Sequence, residues 1–427
     1  MRRSRRSDLS NRLDRSFILV FLDAAAALPC AGNFGRSNMP RPGNDNPTAL
    51  AAGGLIAMAA AMGIGRFVYT PILPAMVEAL SLSKSNAGLI ASANFLGYLI
   101  GALLAAMPRL PGPRRVWLLC ALIVSAVTTA AMGLTSSVLV FVVLRFTGGA
   151  ASAFVLILAS ALVLDGLAQA RRPGLASVHF AGVGAGIAVS AVVVSTLIAA
   201  GAGWRSLWFC TGTIALAAVA AVTWLVPPGG DTRLARATGP RIAERPRGLA
   251  ALICAYGLFG FGYVVTATFL VVIVRASPQG RDAEPLVWLI VGLTAAPSVV
   301  LWAKAAARIG IHRAFGIACV AEAAGVAVSV LWPSMIAALL AAALLGGTFM
   351  GLTSLGLAGA RQLVPQNPQP VLAQMTAAFG LGQIVGPSLA GYLFDLTGGF
   401  GAPSLLAAAA LLVAASIVQR SRPVPVL

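Results

Sequence analysis

Residues 137–164 read SVLVFVVLRFTGGAASAFVLILASALVL, and this stretch decides the class of fold. It contains a single charged residue, Arg145. It is also longer than the roughly 20 apolar residues needed to cross a hydrocarbon core of about 30 Å. An apolar segment of one chain satisfies its backbone hydrogen bonds in lipid by forming a helix. The stretch therefore predicts a transmembrane helix.

Eleven other stretches of the chain have the same character. The 427 residues are 59% hydrophobic and only 10% charged, whereas a soluble domain carries about 25% charged residues. The composition therefore excludes an ordinary soluble enzyme and predicts an all-α integral membrane protein with twelve transmembrane helices. The predicted spans cover residues 50–76, 87–107, 116–134, 137–164, 179–200, 206–226, 249–272, 286–306, 314–332, 335–358, 371–394 and 402–419.

The basic residues predict how these spans are oriented. The net charge is +18, and arginine and lysine are concentrated in alternate connections. One set of connections and the C-terminal tail hold 15 of them, and the opposite set holds 4. Because connections rich in Lys and Arg stay in the cytoplasm, both termini are predicted to be cytoplasmic, in a bacterial inner membrane. The charge is therefore a topology signal, and no nucleic-acid partner is predicted.

The sequence also contains an internal duplication. When the first half is shifted by 198 residues, seven of the 19 glycines between 53 and 212 fall on glycines, with Gly182 on Gly380 among them. A hydrophilic segment separates the copies, so two six-helix repeats are predicted. The predicted regions are an N-terminal extension at 1–48 with Met39 as an alternative start, a first half at 49–227, a cytoplasmic central loop at 228–248, a second half at 249–420 and a tail at 421–427.

Glycines inside the spans predict where helices pack closely. Lipid gives no hydrophobic drive for helix association, so small residues four positions apart let two backbones approach each other. The pattern GxxxG is weak alone, since a glycine-rich chain contains it by chance. The residues predicted to make such contacts are Gly97, Gly101, Gly182, Gly184, Gly186, Gly382, Gly386 and Pro387.

A further group of passages carries a family resemblance. They are GPRR at 112–115 with GIHR at 310–313, RFTGGAA at 145–151, HFAGVGAGIAVS at 179–190 and GQIVGP at 382–387. These passages resemble the major facilitator superfamily, and the resemblance covers residues 49–420. More narrowly, GIGRFVYTPILPAM at 63–76 and SANFLGYLIGALLA at 92–105 are similar to its YbfB/YjiJ-type branch.

The resemblance implies a secondary active transporter whose two halves rock about a central solute site. In that fold, spans 1, 2, 4, 5, 7, 8, 10 and 11 line the pathway. The resemblance also implies that Arg145 and the basic-loop residues Arg114, Arg115 and Arg313 act in coupling or gating. One position departs from the pattern, because Arg109 stands where the basic loop normally carries an acid. The charge relay attributed to that acid is not expected here.

Polar residues on the pathway spans are candidates for binding a solute. A charge at the centre of a membrane helix costs about 2.5–3.5 kcal/mol on insertion scales, so Arg66 is expected to face a cavity or a partner. A spacing of i, i+3 and i+4 puts Arg66, Tyr69 and Thr70 on one face of span 1. For the tyrosines, helix packing is the alternative role. The candidate substrate-binding residues are Arg66, Tyr69, Thr70, Asn94, Tyr98, Tyr263 and Gln383.

Other charged residues in the spans have two interpretations each. Arg145 either acts in the pathway or clamps neighbouring backbone carbonyls. Glu322 lies on span 9, which is peripheral in the fold that the resemblance implies, so a structural or protonated role is favoured over proton coupling. Asp165 and Asp395 lie at span ends and are expected to cap or pair locally.

The function predicted from these residues is proton-coupled transport of a small organic solute. No carboxylate of spans 1, 2, 5, 7, 8 or 10 is central enough to neutralise Arg66, so the solute is predicted to be an anion or a zwitterion. Multidrug efflux is the first alternative, and the cationic Arg66 argues against it. A membrane sensor without transport is the second.

Missing signatures argue against other classes of protein. The sequence contains no GxxxxGK[ST], HExxH or GxSxG, and its five cysteines form no CxxC. Both histidines, His179 and His312, lie at or outside the predicted span ends. The sequence therefore predicts no enzyme, no cofactor and no metal site. The predicted partners are the solute, protons and the lipid bilayer, and the protein is predicted to be a monomer.

Overall fold

A computed structural model describes residues 46–105, 112–227, 248–276, 283–364 and 369–421. The regular elements in these ranges are helices, and no strand occurs among them. Several predictions concern residues outside these ranges. They are the N-terminal extension up to residue 45 with Met39, the central loop at 228–247, the tail from 422 and Arg109.

Twelve helices of the described residues are long and apolar enough to cross a membrane, which confirms the predicted fold class. The largest difference from the predicted bounds is at span 5, which begins at Pro173, so His179 lies inside this span and not at its end. Spans 1 to 12 are Pro47–Leu80, Lys84–Ala105, Arg114–Leu134, Val138–Gln169, Pro173–Ala199, Trp204–Leu225, Leu249–Ala276, Glu284–Ile309, Ile311–Leu331, Met335–Leu363, Pro370–Thr397 and Gly401–Arg420.

Span 1 is broken near its middle. A helix at Pro47–Met58 continues as a π-helix at Ala59–Ile64, turns at 65–68 and resumes at Tyr69–Leu80. Pro71 has no N–H to donate to the carbonyl four residues earlier, so the regular ladder cannot pass through this point. The N–H of Thr70 bonds the carbonyl of Phe67 at 3.2 Å instead of the Arg66 carbonyl. The break therefore leaves backbone carbonyls without a partner inside the helix.

The two halves repeat the same helix packing. In the first half, span 2 packs on span 4, span 3 on spans 4 and 6, and span 1 on spans 5 and 6. In the second half, span 8 packs on span 10, span 9 on spans 10 and 12, and span 7 on spans 11 and 12. Between the halves, span 2 packs on span 11, span 5 on span 8 and span 1 on span 7. The duplication is therefore one of packing as well as of sequence.

The repeat has no single register, which corrects the uniform shift of 198 residues. Gly182 lies on the carbonyl of Leu55, and Gly382 lies on the carbonyl of Gly257, so neither position has room for a Cβ. The same contact thus repeats after 200 residues in one helix and 202 in the other. Gly382, not Gly380, is the counterpart of Gly182. Connections of unequal length between the spans account for the difference.

Spans 2 and 4 show a third register. Gly149 lies on the carbonyl of Asn94, and Gly346 lies on the carbonyl of Val291, so this contact repeats after 197 residues in both helices. A Cβ at either glycine would collide with the neighbouring backbone. The other predicted packing residues also lie against a neighbouring helix: Gly97 and Gly101 on span 4, Gly186 on span 1, Gly386 on span 7, Gly184 on span 8 and Pro387 on span 2.

The halves meet towards one face of the bundle. We call the face that holds residues 46 and 421 the terminal face, and the other the opposite face. Spans 2 and 11 are in backbone contact from Lys84 and Gly391, near the opposite face, to Leu99 and Gly380, near the middle. One turn further towards the terminal face, Leu103 is 47% exposed. The two helices therefore diverge towards the terminal face.

Polar contacts also join the halves at the opposite face. Asp395 at the end of span 11 accepts hydrogen bonds from the backbone N–H of Lys84 at 3.3 Å and of Ser85 at 3.0 Å. It therefore caps the start of span 2 in the other half, which corrects the expectation of a local partner. Nearby, Arg275 of span 7 pairs with Glu78 of span 1 at 3.2 Å. These contacts close the opposite face.

Candidate substrate site at the break in span 1

Arg145 of span 4 binds the backbone at the break in span 1. Its Nη1 donates to the carbonyl of Gly65 at 2.9 Å, and its Nη2 donates to the carbonyl of Arg66 at 2.8 Å. The side chain is buried, and Asn94 Nδ2 donates to the Arg145 carbonyl at 2.9 Å. The geometry matches the carbonyl clamp that the sequence analysis gave as one of two interpretations of Arg145.

The clamp fixes the point from which the Arg66 side chain leaves span 1. Its guanidinium carbon lies 4.0 Å from the centre of the Tyr98 ring, 4.7 Å from that of Phe95 and 5.6 Å from that of Phe67. A cation within about 6 Å of an aromatic face is attracted by the ring quadrupole, most strongly when desolvated. Because Arg66 is only 4% exposed, these rings form much of its environment.

One polar chain joins Arg66 to the second half of the protein. Arg66 Nη2 donates to Gln383 Oε1 of span 11 at 3.1 Å. Gln383 Nε2 in turn donates to the hydroxyl of Tyr263 on span 7. The predicted residues Arg66, Tyr98, Gln383 and Tyr263 thus meet in one place, although they come from four spans. Gln383 is fully buried, so both halves contribute to this point inside the bundle.

The two arginines carry positive charge that nothing nearby balances. Within the described ranges, no carboxylate lies within 4.0 Å of either guanidinium, and the ion pairs found are those of Arg114 and Arg275. The Nε of Arg66 and of Arg145 are both buried without a hydrogen-bond partner in the same ranges. Residues 65 and 66 therefore lie in a strongly electropositive part of the protein interior.

Other predicted substrate residues use their polar groups within the protein. The hydroxyl of Tyr69 donates to the carbonyl of Ala87 at 2.9 Å, and that of Thr70 donates to the carbonyl of Ala267 at 2.6 Å. Asn94 donates to span 4 as described above. The structure thus places these three beside the Arg66 site as contacts between helices. The Thr70 contact crosses from the first half to the second.

Several aromatic residues at the site are absent from the candidates that the sequence supplied. The ring of Tyr263 is stacked nearly parallel with Phe349 at 5.8 Å and with Phe379 at 5.7 Å. Phe349 also contacts Phe67 edge-on at 5.9 Å. Phe95 precedes Tyr98 by three residues, so helical spacing could have identified it. Phe349 and Phe379 lie on separate spans, and no spacing points to them.

Glu322 lies apart from this cluster, on span 9 of the second half. Its side chain is fully buried, and neither carboxyl oxygen has a hydrogen-bond partner among the described residues. An unpaired carboxylate in such a place costs several kcal/mol, about as much as a protein interior tolerates. The group therefore has no visible structural partner in the described residues.

The basic-loop residues lie on the terminal face. Arg114 pairs with Asp165 of span 4 at 3.7 Å, and Arg115 Nε donates to the carbonyl of Val226 at 2.8 Å. These contacts fasten the start of span 3 to the ends of spans 4 and 6. In the second half, Arg313 is exposed. The two basic loops therefore differ in their contacts.

Two glycines give these loops a shared backbone shape. Gly112 precedes span 3 with φ +82°, and Gly310 precedes span 9 with φ +86°. This left-handed region favours glycine because a Cβ is strained there. The glycines of GPRR and GIHR are thus required by the turn into each span.

Twelve helices in two packing repeats, with a charged site inside, define a membrane transporter of the major facilitator superfamily. A family profile, described as "Uncharacterised MFS-type transporter YbfB", matches residues 58–419. The match covers most of the chain, and the protein belongs to this family. It is a multi-pass membrane protein. No curated protein matches the sequence.

Solved structures show the same fold. A variant of the nucleoside transporter NupG superposes with a TM-score of 0.70 at 13% identity, covering 88% of this chain and 100% of that one. A bacterial homologue of the human lysosomal transporter Spinster, in an inward-facing and unoccupied conformation, gives a TM-score of 0.62 at 16% identity, covering 90% and 100%. At these identities the likeness establishes the fold of this chain and not its solute.

Proposed function

We propose that this protein is a secondary active transporter for a small organic anion or zwitterion. The observation that carries the proposal is the state of Arg66. Its guanidinium is buried between the halves, bonded to the neutral Gln383, with no carboxylate in range among the described residues. A buried charge without a counter-charge costs several kcal/mol. An anionic group on the solute supplies that counter-charge at the site.

Alternating access is the proposed mechanism, with residues 49–227 and 249–420 as the two moving halves. The halves are joined near the opposite face by Asp395 on span 2 and by the Arg275–Glu78 pair. They diverge towards the terminal face. If the arginine bias puts that face in the cytoplasm of a bacterial inner membrane, the structure corresponds to a state closed outward and open inward.

Proton coupling completes the proposal. The sequence carries no nucleotide-binding signature of the form GxxxxGK[ST], so an ion gradient is the energy source we propose. We propose the solute, protons and the bilayer as partners of a monomeric protein. We further propose that the chain has no enzymatic activity.

Multidrug efflux is the alternative within the same fold. Cationic drugs require acidic groups in the pathway, whereas the charges found at the break in span 1 are Arg66 and Arg145. That sign of charge favours anions. A sensor without transport is the second alternative, and no specific contact favours it.

The test is a solute screen on vesicles containing the purified protein. Small carboxylates, amino acids, neutral amides and organic cations are offered with and without an imposed pH gradient. We expect uptake of carboxylates or amino acids, and greater accumulation when the gradient is present. Uptake restricted to cations would refute the proposed solute class. Uptake of no solute under either condition would favour the sensor.

A further inference from the structure

Gln383 holds its amide in one orientation. A guanidinium has only donors, so the atom 3.1 Å from Arg66 Nη2 must be the amide oxygen. The amide nitrogen then points to the Tyr263 hydroxyl, which accepts its hydrogen. Gly382, the preceding residue, lies on the carbonyl of Gly257 and holds span 11 close to span 7. Tyr263 and the helix packing together aim a neutral oxygen at a buried cation.

A neutral amide is a weak partner for such a cation. Hydrogen bonds between a guanidinium and a carboxylate are shorter and roughly twice as strong as bonds between neutral groups, and they are often bidentate. Arg66 makes one bond to Gln383, while its Nε is buried and unpaired in the described residues. A carboxylate in the place of the amide oxygen would therefore bind Arg66 more strongly than Gln383 does.

The bond between Arg66 and Gln383 also crosses between the halves. Arg66 belongs to span 1, and Gln383 belongs to span 11. On the same side of the bundle, Ser92 of span 2 donates to the Ile384 carbonyl at 2.6 Å, and Thr70 donates to the Ala267 carbonyl. Breaking the Arg66–Gln383 bond would remove the innermost member of this set of contacts between the halves.

We propose that Gln383 is an internal ligand of Arg66, whose amide oxygen occupies the position that an anionic oxygen of the solute takes on binding. The inference rests on the proposed function, since it needs an anionic solute. It assigns a second role to the residue. Gln383 keeps Arg66 partnered while the site is empty, and its displacement couples solute binding to the contact between the halves.

The substitution Gln383→Glu tests this directly, because it ties a carboxylate to the position of the amide oxygen. We expect the introduced carboxylate to pair with Arg66, so the melting temperature of the solute-free protein stays at or above that of wild type. We expect anion uptake to fall by at least about tenfold, because the site is already filled. The matched control is Gln374→Glu, which makes the same change at an exposed position of the same helix.

A thermodynamic cycle removes the ambiguity of general destabilisation. The melting temperatures of wild type, Arg66→Ala, Gln383→Glu and the double variant are compared without solute. We expect Arg66→Ala to lower the melting temperature far more in the Gln383→Glu background than in wild type. Additive effects would overturn the inference. So would strong coupling with anion uptake at the wild-type rate, since the solute would then bind without displacing the side chain.

A distance measurement tests the link to the halves. Spin labels on Ser81 and Ala402, exposed residues on the opposite face of the two halves, are introduced after replacing the native cysteines. We expect Gln383→Glu to enrich the short distance, because an ion pair closes the interface more firmly. An unchanged distribution would refute the coupling. If wild-type vesicles take up no anion, the proposed function fails, and the solute-free cycle still decides whether Gln383 is a ligand of Arg66.

Discussion

The two halves share one helix packing but differ in chemistry at equivalent positions. Span 1 is broken at 65–68, whereas its counterpart, span 7, is one continuous helix at Leu249–Ala276. By the 202-residue register of these helices, Arg66 corresponds to Thr268. By the 197-residue register of spans 4 and 10, Arg145 corresponds to Ala342. Both buried arginines therefore belong to the first half alone.

The difference shows how a duplicated scaffold acquires a single site. The repeated packing gives two similar bodies that can move against each other, and it needs no charge. The break in span 1 exposes carbonyls, Arg145 binds them, and Arg66 is thereby held against the second half. The second half contributes the neutral partner, Gln383. We infer that repeat symmetry serves the motion and that its violation serves the solute.

The largest effect is expected at Arg66. Arg66→Ala should abolish transport while leaving membrane insertion and yield intact, because the side chain bonds a solute and one neutral amide rather than the helix backbone. Arg66→Lys keeps the charge but loses the planar fork, so binding should weaken by about 1.5–3 kcal/mol. Flux into vesicles measures both. Thr268→Ala, at the equivalent position, is the matched control and should transport normally.

Arg145 should behave differently from Arg66. Arg145→Ala leaves the carbonyls of Gly65 and Arg66 buried without donors, and each such group costs about 1–3 kcal/mol. We expect a lower melting temperature and a lower yield of folded protein, with transport lost in proportion. Ala342→Val, at the equivalent place in the second half, probes simple overpacking. A stable Arg145→Ala protein with selective loss of flux would contradict the clamp.

Glu322 tests whether the second half carries protons. If its role is structural, Glu322→Gln should lower pH-driven accumulation and solute counterflow together with protein yield, and this is the outcome we expect. The amide adds donors to a site that offers no partner in the described residues. Accumulation and counterflow are measured on the same vesicles. Loss of accumulation with counterflow preserved would instead identify Glu322 as a proton carrier.

The contacts at the opposite face should have smaller effects. Asp395→Ala removes the cap of span 2, which is worth about 0.5–2 kcal/mol, and should shift the halves towards an outward-open state. Labels on Ser81 and Ala402 should then show a larger fraction of long distances. Asp165→Ala, which breaks a pair on the terminal face within the first half, should leave this distance unchanged. An equal response to both variants would contradict the assigned role of Asp395.

The central loop should have the smallest effect. Residues 228–248 form a polar linker in the sequence, and such linkers tolerate cleavage. A protease site inserted there should allow nicking without loss of flux. Failure of transport in inserted, nicked protein would show that the loop does more than connect the halves.

The fold could be predicted from the sequence because lipid leaves few choices. Apolar length and charge bias suffice for the twelve spans, and the glycines indicated the duplication. The break in span 1 escaped prediction, since Pro71 and Pro74 lie near glycines in a segment that is apolar throughout. The unequal registers also escaped, because the glycine matches pooled helices joined by connections of different length.

The site was predicted only in part for a related reason. Arg66, Tyr98, Tyr263 and Gln383 stand out as polar groups at membrane depth, so the cost of burial identifies them. Their partners are set by tertiary packing, and Gln383 lies 317 residues from Arg66 in the chain. Asp395 is a similar case. A span-end carboxylate indicates a cap, but the sequence does not indicate which helix it caps.

The central claim is that the uncompensated charge of Arg66 selects the solute. The most direct measurement is competition: uptake of the transported carboxylate by wild-type vesicles in the presence of its own neutral amide, and of a second carboxylate of similar size. We predict that the carboxylate competes and that the amide does not, with both effects lost in Arg66→Lys as binding weakens. Equal competition by the amide and the carboxylate would contradict the claim.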